Sequence, residues 1–169
     1  MITQIFFFVI VLIYAAFAFY WVQAFFKGAP YYPSNKKIVK KMIKAMELDG
    51  KSKVAELGAG DGRIAFAISK TGAHVTAIEI NPFFVLLMKL KNIFHKNKIK
   101  AIRANVLDHD YSQYNAVTIY LYPGLMHQLE DSLFTQMKKG SVIVSNTFRF
   151  KKHEPERVIE NRVVIYRVN

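Results

Sequence analysis

From Ile5 to Val22 the chain runs without a charge or a strongly polar side chain, and Ile2 and the Phe25-Phe26 pair extend that character on both sides. A helix of this length can cross a bilayer. A core helix would show a polar face, and none is present. Tyr20, Trp21, Phe25 and Phe26 fall where an interfacial aromatic belt belongs, and no Lys or Arg precedes the run, whereas Lys27 and a lysine cluster follow it. The positive-inside rule then predicts that everything after residue 26 lies on the cytoplasmic side of a single-pass membrane anchor. A cleaved signal peptide would instead show a basic start, a shorter apolar stretch and a small-x-small cleavage site, and none of these is clear.

The pattern changes at Gly28. Residues 27–34, with Pro30 and Pro33 in a Tyr-rich stretch, read as an extended linker. A helix can start at Ser34 or Asn35, and from Ile38 to Met46 the apolar residues recur at helical spacing with lysines on the opposite face. Beyond Gly50, short β-rich runs alternate with helical ones. The strands are expected over Lys53 to Leu57, His74 to Ile80, Ile99 to Arg103, Ala116 to Leu121 and Ser141 to Phe148. The helices are expected over Arg63 to Lys70, Pro82 to Lys96 and Gly124 to Lys138. Such repetition implies an α/β fold, a parallel sheet covered on both faces. Glu156 to Asn161 and Arg162 to Val168 leave no room for a crossover helix, so a terminal antiparallel hairpin is expected. Residues 35–169 thus read as one Rossmann-like domain.

The absence of cysteine excludes disulfides, thiolate metal sites and a cysteine nucleophile. The five histidines lack the spacing and adjoining acids of a helical zinc site, so no metal is expected. A net charge of +12 favours anionic neighbours. Its placement is informative: the lysines between Lys36 and Lys53 follow the apolar run closely, where they would meet anionic lipid head groups.

Val54-Ala55-Glu56-Leu57 leads straight into Gly58-Ala59-Gly60-Asp61-Gly62-Arg63, after which a helix begins. Glycines there let the chain turn sharply and approach a ligand closely. A dinucleotide fingerprint would carry its third glycine where Arg63 stands, so the G-x-G-x-G spacing argues against nicotinamide or flavin dinucleotides. At the end of the next strand stands Glu79, where a carboxylate can accept both hydroxyls of a ribose. Strand, glycine turn, helix, strand and acid follow in register.

Glu56-Leu57-Gly58-Ala59-Gly60-Asp61-Gly62 resembles the first motif of class I S-adenosylmethionine methyltransferases, and Glu79 resembles their second. Pro30-Tyr31-Tyr32-Pro33-Ser34, Asp61-Gly62-Arg63-Ile64, Glu79-Ile80-Asn81-Pro82 and Tyr122-Pro123-Gly124-Leu125-Met126 followed by Gln128-Leu129-Glu130 are similar to one group among them. These are the small membrane-anchored protein-lysine methyltransferases of mitochondria, which modify the ATP synthase c subunit and the adenine nucleotide translocase, together with archaeal relatives. The resemblance implies S-adenosylmethionine as cofactor. It implies that Tyr32, Pro33 and Ser34 close over the methionine end, that Glu56, Gly58, Gly60 and Asp61 line the cofactor, and that Glu79 holds the ribose. Asn105 stands where many members have an Asp for the adenine amine.

Methyl transfer to an amine needs an uncharged nitrogen held in line with the methyl group, so orientation and desolvation matter more than acid-base groups. Tyr120-Leu121-Tyr122-Pro123 replaces the Asn/Asp-Pro-Pro-Tyr of amide- and base-modifying enzymes, which argues against adenine N6 or glutamine as acceptor. An aromatic lip suits a lysine ammonium. Tyr122 and, across the cleft, Asn146 are the candidate catalytic residues; either can equally be a packing residue, and His127 is read as structural. The expected function is protein-lysine N-methylation at the membrane. A membrane small molecule such as a phospholipid amine or quinone is the alternative acceptor. A non-catalytic nucleotide- or RNA-binding module is disfavoured, since no aromatic-basic RNA motif is evident.

Overall fold

The computed structural model describes residues 2–27 and 34–169. The chain divides into two units, Met1–Tyr32 and Pro33–Asn169. Among the described residues the first unit consists of the helix α1 (Ile2–Lys27). Its stretch Ile2–Phe19 has a mean hydropathy of 2.5 and is long and apolar enough to cross a membrane.

The second unit holds a seven-stranded sheet of order β3-β2-β1-β4-β5-β7-β6. Its strands are β1 (Lys53–Leu57), β2 (His74–Glu79), β3 (Lys100–Arg103), β4 (Ala116–Ile119), β5 (Val142–Asn146), β6 (Arg157–Ile159) and β7 (Val163–Arg167). The first five run parallel. β7 lies antiparallel between β5 and β6, so the terminal hairpin is present. Its turn places Glu160 and Asn161 at φ 49° and 51°, and Asn is among the few side chains that tolerate that region.

The helices are α2 (Lys36–Met46), α3 (Arg63–Ser69), α4 (Pro82–Phe94) and α5 (Pro123–Gln136). Two of them start on side-chain caps: Asn35 Oδ1 accepts from Lys37 N–H and Asn81 Oδ1 from Phe83 N–H, both at 2.9 Å. Pro82 and Pro123 open α4 and α5, where a missing N–H costs nothing. On α2, Ile38, Val39, Met42, Ala45 and Met46 are buried while Lys36, Lys37, Lys40 and Lys44 stay exposed. The buried side chains of α2, α3 and α4 form one core with Val54, Val75 and Val144, and those of α5 form a second with Leu57, Tyr111, Ile119 and Tyr166. The two faces of the sheet are therefore each covered, as its alternating apolar residues require.

The expected elements are present with small displacements at their ends. β5 stops at Asn146 because Thr147 turns to φ 76°. A single 3₁₀ turn at Val106–Asp108, capped by Asn105, lies where no element was expected; three residues are too few to leave a period in the sequence.

Candidate active site

The parallel strands of this open sheet end on a common edge, and the chain reverses its winding between β1 and β4. Such a crevice at the carboxyl ends of the strands is where ligands bind in doubly wound folds. The glycine turn leaves β1 there. Gly58, Gly60 and Gly62 have φ of 68°, 54° and 78°. At Gly58 the demand is double, since an added Cβ would stand 2.5 Å from Leu121 Cδ2. Gly58→Ala is expected to destabilise the domain by about 2–4 kcal/mol through left-handed strain and overpacking; thermal unfolding followed by far-UV circular dichroism checks it.

Glu79, at the end of β2, is buried. Its Oε2 accepts from Gly60 N–H and its Oε1 from Asn81 N–H, both at 2.8 Å. The carboxylate thus ties the apex of the glycine turn to the start of α4. Each oxygen retains acceptor capacity, because a carboxylate offers about four lone-pair sites. The bracing function was not foreseen from sequence.

Glu56 lies inside the sheet, in register with Ala77 on β2 and Thr118 on β4. It points to the first turn of α3, whose N-cap is Gly62 and so has no side chain to offer. Glu56 Oε2 fills that role by accepting from Ala65 N–H at 2.8 Å. Burial pushes its carboxyl up to about 8, against the Ala65 hydrogen bond and with help from the charges of Asp61 and Glu79. A carboxyl whose folded pKa exceeds its unfolded value of 4.5 stabilises the fold fully below pH 4.5 and loses that contribution as pH rises through 8. His109, lowered by burial from 6.5, works in the opposite sense and has finished titrating above that pH. Stability is therefore expected to fall between pH 6.5 and 8, and Glu56→Gln to remove the slope. Denaturant titrations across that window check this.

Asp61 is engaged by cations: Arg63 Nε at 3.0 Å from its Oδ1, and Lys91 Nζ at 3.4 Å from its Oδ2 and 2.8 Å from its carbonyl. These interactions outweigh its partial burial and hold its carboxyl below the usual range. They fix the outer limb of the turn against α4. Asn105 follows β3, its Oδ1 accepting from Leu107 N–H at 3.2 Å and its Nδ2 donating to Asp108 Oδ2 at 2.9 Å.

Ser34 and Asn146 are far apart in sequence and adjacent in space. Asn146 Nδ2 donates to Ser34 Oγ at 3.1 Å, and Thr147 Oγ1 donates to Asn146 Oδ1 at 3.0 Å. Asn146 is wholly buried and Ser34 nearly so. The side chain proposed from sequence as catalytic therefore clasps the segment that precedes α2 to the end of β5. Tyr32 and Pro33, the other two residues assigned to the closing segment, lie outside the described residues. Tyr122 caps α5 from the end of β4 with 43% of its surface exposed, its ring lying over Gly124, where an added Cβ would meet Cε2 at 2.8 Å. Tyr120 and Phe148 stack with centroids 6.3 Å apart.

Two residues to which the sequence assigned no role, Glu130 and Lys91, hold neighbouring chain in place. Glu130 on α5 is 1% exposed. It accepts from the backbone N–H groups of Lys151, Lys152 and His153 at 3.0, 2.7 and 2.9 Å, and from His153 Nδ1 at 2.9 Å. Burial works to raise its pKa and is outweighed by His153 and the three N–H groups, which hold the carboxyl low. Its signal was present: an acid within the buried stripe Met126, Leu129, Leu133 needs partners. Lys91, the second clamp on Asp61, carried no such signal beside Lys89 on the same helix.

The donor set suits a nucleoside-bearing ligand: a glycine turn without Cβ atoms, a strand-end carboxylate with spare acceptors, and an amide past the next strand. Known proteins agree with it. The profile of the ANTKMT methyltransferase domain matches residues 56–157, more than half of the chain. A lysine N-methyltransferase of the ATP synthase c subunit from Xenopus laevis is 26% identical over 133 residues, covering 76% of this chain and 58% of that protein. A protein-lysine N-methyltransferase from Saccharolobus islandicus is 26% identical over 135 residues, covering 78% of this chain and 84% of that one. An RNA methyltransferase from Salinibacter ruber, solved with S-adenosyl-L-homocysteine, superposes with a TM-score of 0.75 at 27% identity over 81% of this chain and 94% of its own. This chain thus spans a little over half the length of the frog relative and most of the archaeal one. With the sheet order, the glycine turn and the strand-end acid in place, the chain belongs to the ANTKMT methyltransferase domain family and has the fold of the class I S-adenosylmethionine-dependent methyltransferases.

Proposed function

We propose that the chain is an S-adenosylmethionine-dependent protein-lysine N-methyltransferase that acts at a membrane. The observation that carries the cofactor reading is the buried Glu79 carboxylate, bonded to Gly60 N–H at the open edge of the sheet with acceptor capacity to spare. The acceptor reading is supported by the names of the frog and archaeal relatives and by the exposed Tyr122 at the rim. The membrane reading is supported by α1, with the domain on the cytoplasmic side by the lysine bias after it.

Bound S-adenosylmethionine would supply an electrophilic methyl group on a sulfonium. Gly58 and Gly60 let the backbone approach it, Glu79 accepts the ribose hydroxyls, and Asn105 offers its amide to the adenine. Glu56 and Asp61 shape the turn against which the methionine end rests. Ser34, held by Asn146, secures the end of the closing segment to which Tyr32 and Pro33 belong. Tyr122 presents an aromatic face and a hydroxyl to the incoming lysine, so that the ammonium packs on the ring and loses its proton to water at the exposed rim. The Tyr122 face would thereby hold an uncharged amine towards the methyl group that the bound cofactor would supply.

A second reading, an RNA acceptor, is favoured by the Salinibacter ruber structure and by the net charge of +12. The full chain is incubated with methyl-labelled cofactor, membranes and RNA. Label removed by protease and retained through RNase and solvent extraction is the expected outcome. RNase-sensitive label would establish the RNA reading, and solvent-extractable label a lipid amine or quinone.

A further inference from the structure

The helix α4 buries Val85 and Met88 against the sheet. Its outer side exposes Phe83, Leu86, Leu90, Ile93 and Phe94 at 52%, 56%, 50%, 66% and 88% of their surface. At 3.6 residues per turn these five fall within an arc of about 100°. Exposed apolar residues scattered singly need no explanation, but a contiguous stripe on one helix does.

The surroundings of the stripe indicate what covers it. From Ile80 to Leu107 the chain has no Asp or Glu and carries Lys89, Lys91, Lys96, Lys98, Lys100 and Arg103. Lys91 is spent on Asp61. Lys89 stands on the helix just outside the apolar arc. Lys98 is folded back so that Nζ donates to the carbonyls of Asn92 and Ile93, which sets a cation at the end of α4. A stripe of Leu, Ile and Phe edged by lysines is the composition of a helix lying in a membrane interface, its apolar side among the acyl chains and its cations at anionic head groups. Five side chains on one helix fall short of the roughly 800 Å² per partner that a stable protein interface buries, which argues against a second copy.

We propose that the outer face of α4 docks on an anionic lipid bilayer and so holds the domain against the membrane surface. The proposal rests on the membrane reading of α1 only for the presence of lipid nearby. The docked face is distinct from the Tyr122 rim and from the lysines of α2.

The absence of native cysteine makes the test direct. Full-length Leu90→Cys and, as a control on exposed α5, Thr135→Cys carry an environment-sensitive fluorophore. Each is reconstituted into vesicles of phosphatidylcholine with or without phosphatidylglycerol and with brominated acyl chains. In anionic vesicles the Leu90 probe should shift to the blue and lose about half its fluorescence to the bromolipid, while the Thr135 probe is unchanged. The effect should weaken without phosphatidylglycerol, in high salt, or with Lys89→Glu and Lys96→Glu. A Leu90 probe as water-exposed as the control would overturn the proposal. So would protection that ignores bromolipid and rises with protein-to-lipid ratio, which means a second copy. Flotation of the same samples reports on α1 separately: protein that does not float in high salt contradicts the anchor and leaves the α4 question to the anionic vesicles in low salt.

Discussion

Glu79→Ala is expected to lower affinity for S-adenosylmethionine by at least about 100-fold. Two charge-assisted hydrogen bonds to ribose hydroxyls are together worth about 3 kcal/mol or more. The substitution also leaves Gly60 N–H and Asn81 N–H without their 2.8 Å acceptor, so the apex of the turn loses its tie to α4. Glu79→Gln is the milder change. It keeps one acceptor oxygen and presents an amide NH2 donor where the second was, so one of the two backbone ties is kept and affinity should fall about tenfold. Isothermal titration of the detergent-solubilised full chain measures both. Binding by Glu79→Ala that matches the wild type would remove the ribose assignment.

Glu130→Ala should destabilise the domain by about 3–5 kcal/mol, since it removes a charged acceptor from four part-buried donors at once. Lys151, Lys152 and His153 lose their common partner, and the chain between β5 and β6 loses its anchor to α5. His153 stacks on Phe134 at 3.6 Å between centroids, so the loss should spread into the core around Phe150 and Tyr166. Glu130→Gln retains an acceptor and should cost less. The pH dependence has the opposite sign to that of Glu56. A carboxyl held below its unfolded pKa stabilises the fold above about 4.5 and loses that contribution as pH falls. Thermal unfolding near pH 7 and near pH 4 should therefore separate wild type from Glu130→Ala widely at the first pH and narrowly at the second.

The order of elements from Lys53 onward was legible because three of its strands are followed by punctuating residues: Gly58 after β1, Asn81-Pro82 after β2, Pro123 after β4. The glycine turn and Glu79 were legible because their chemistry requires those residue types in that order. The resemblance to lysine methyltransferases rested on four short segments, Pro30 to Ser34, Asp61 to Ile64, Glu79 to Pro82 and Tyr122 to Glu130, and agrees with the family to which the chain belongs. What could not be read was how polar side chains pair across the fold. Ser34 and Asn146 are 112 positions apart, and nothing in either local sequence announces the clasp. Glu79 was read for the ligand it would hold, not for the backbone N–H groups it already satisfies. The exposed stripe on α4 has the same periodicity as a buried one, and only the structure tells which side faces the sheet.

The central claim, methyl transfer from S-adenosylmethionine to a protein lysine, is tested most directly by amino-acid analysis of the labelled product. The full chain is incubated with methyl-tritiated cofactor and membranes, and the protein fraction is hydrolysed in acid and resolved. Radioactivity should co-migrate with methylated lysine and should be lost with Glu79→Ala. Radioactivity in any other amino acid, or a protein fraction without label while nucleic acid or lipid carries it, would contradict the account.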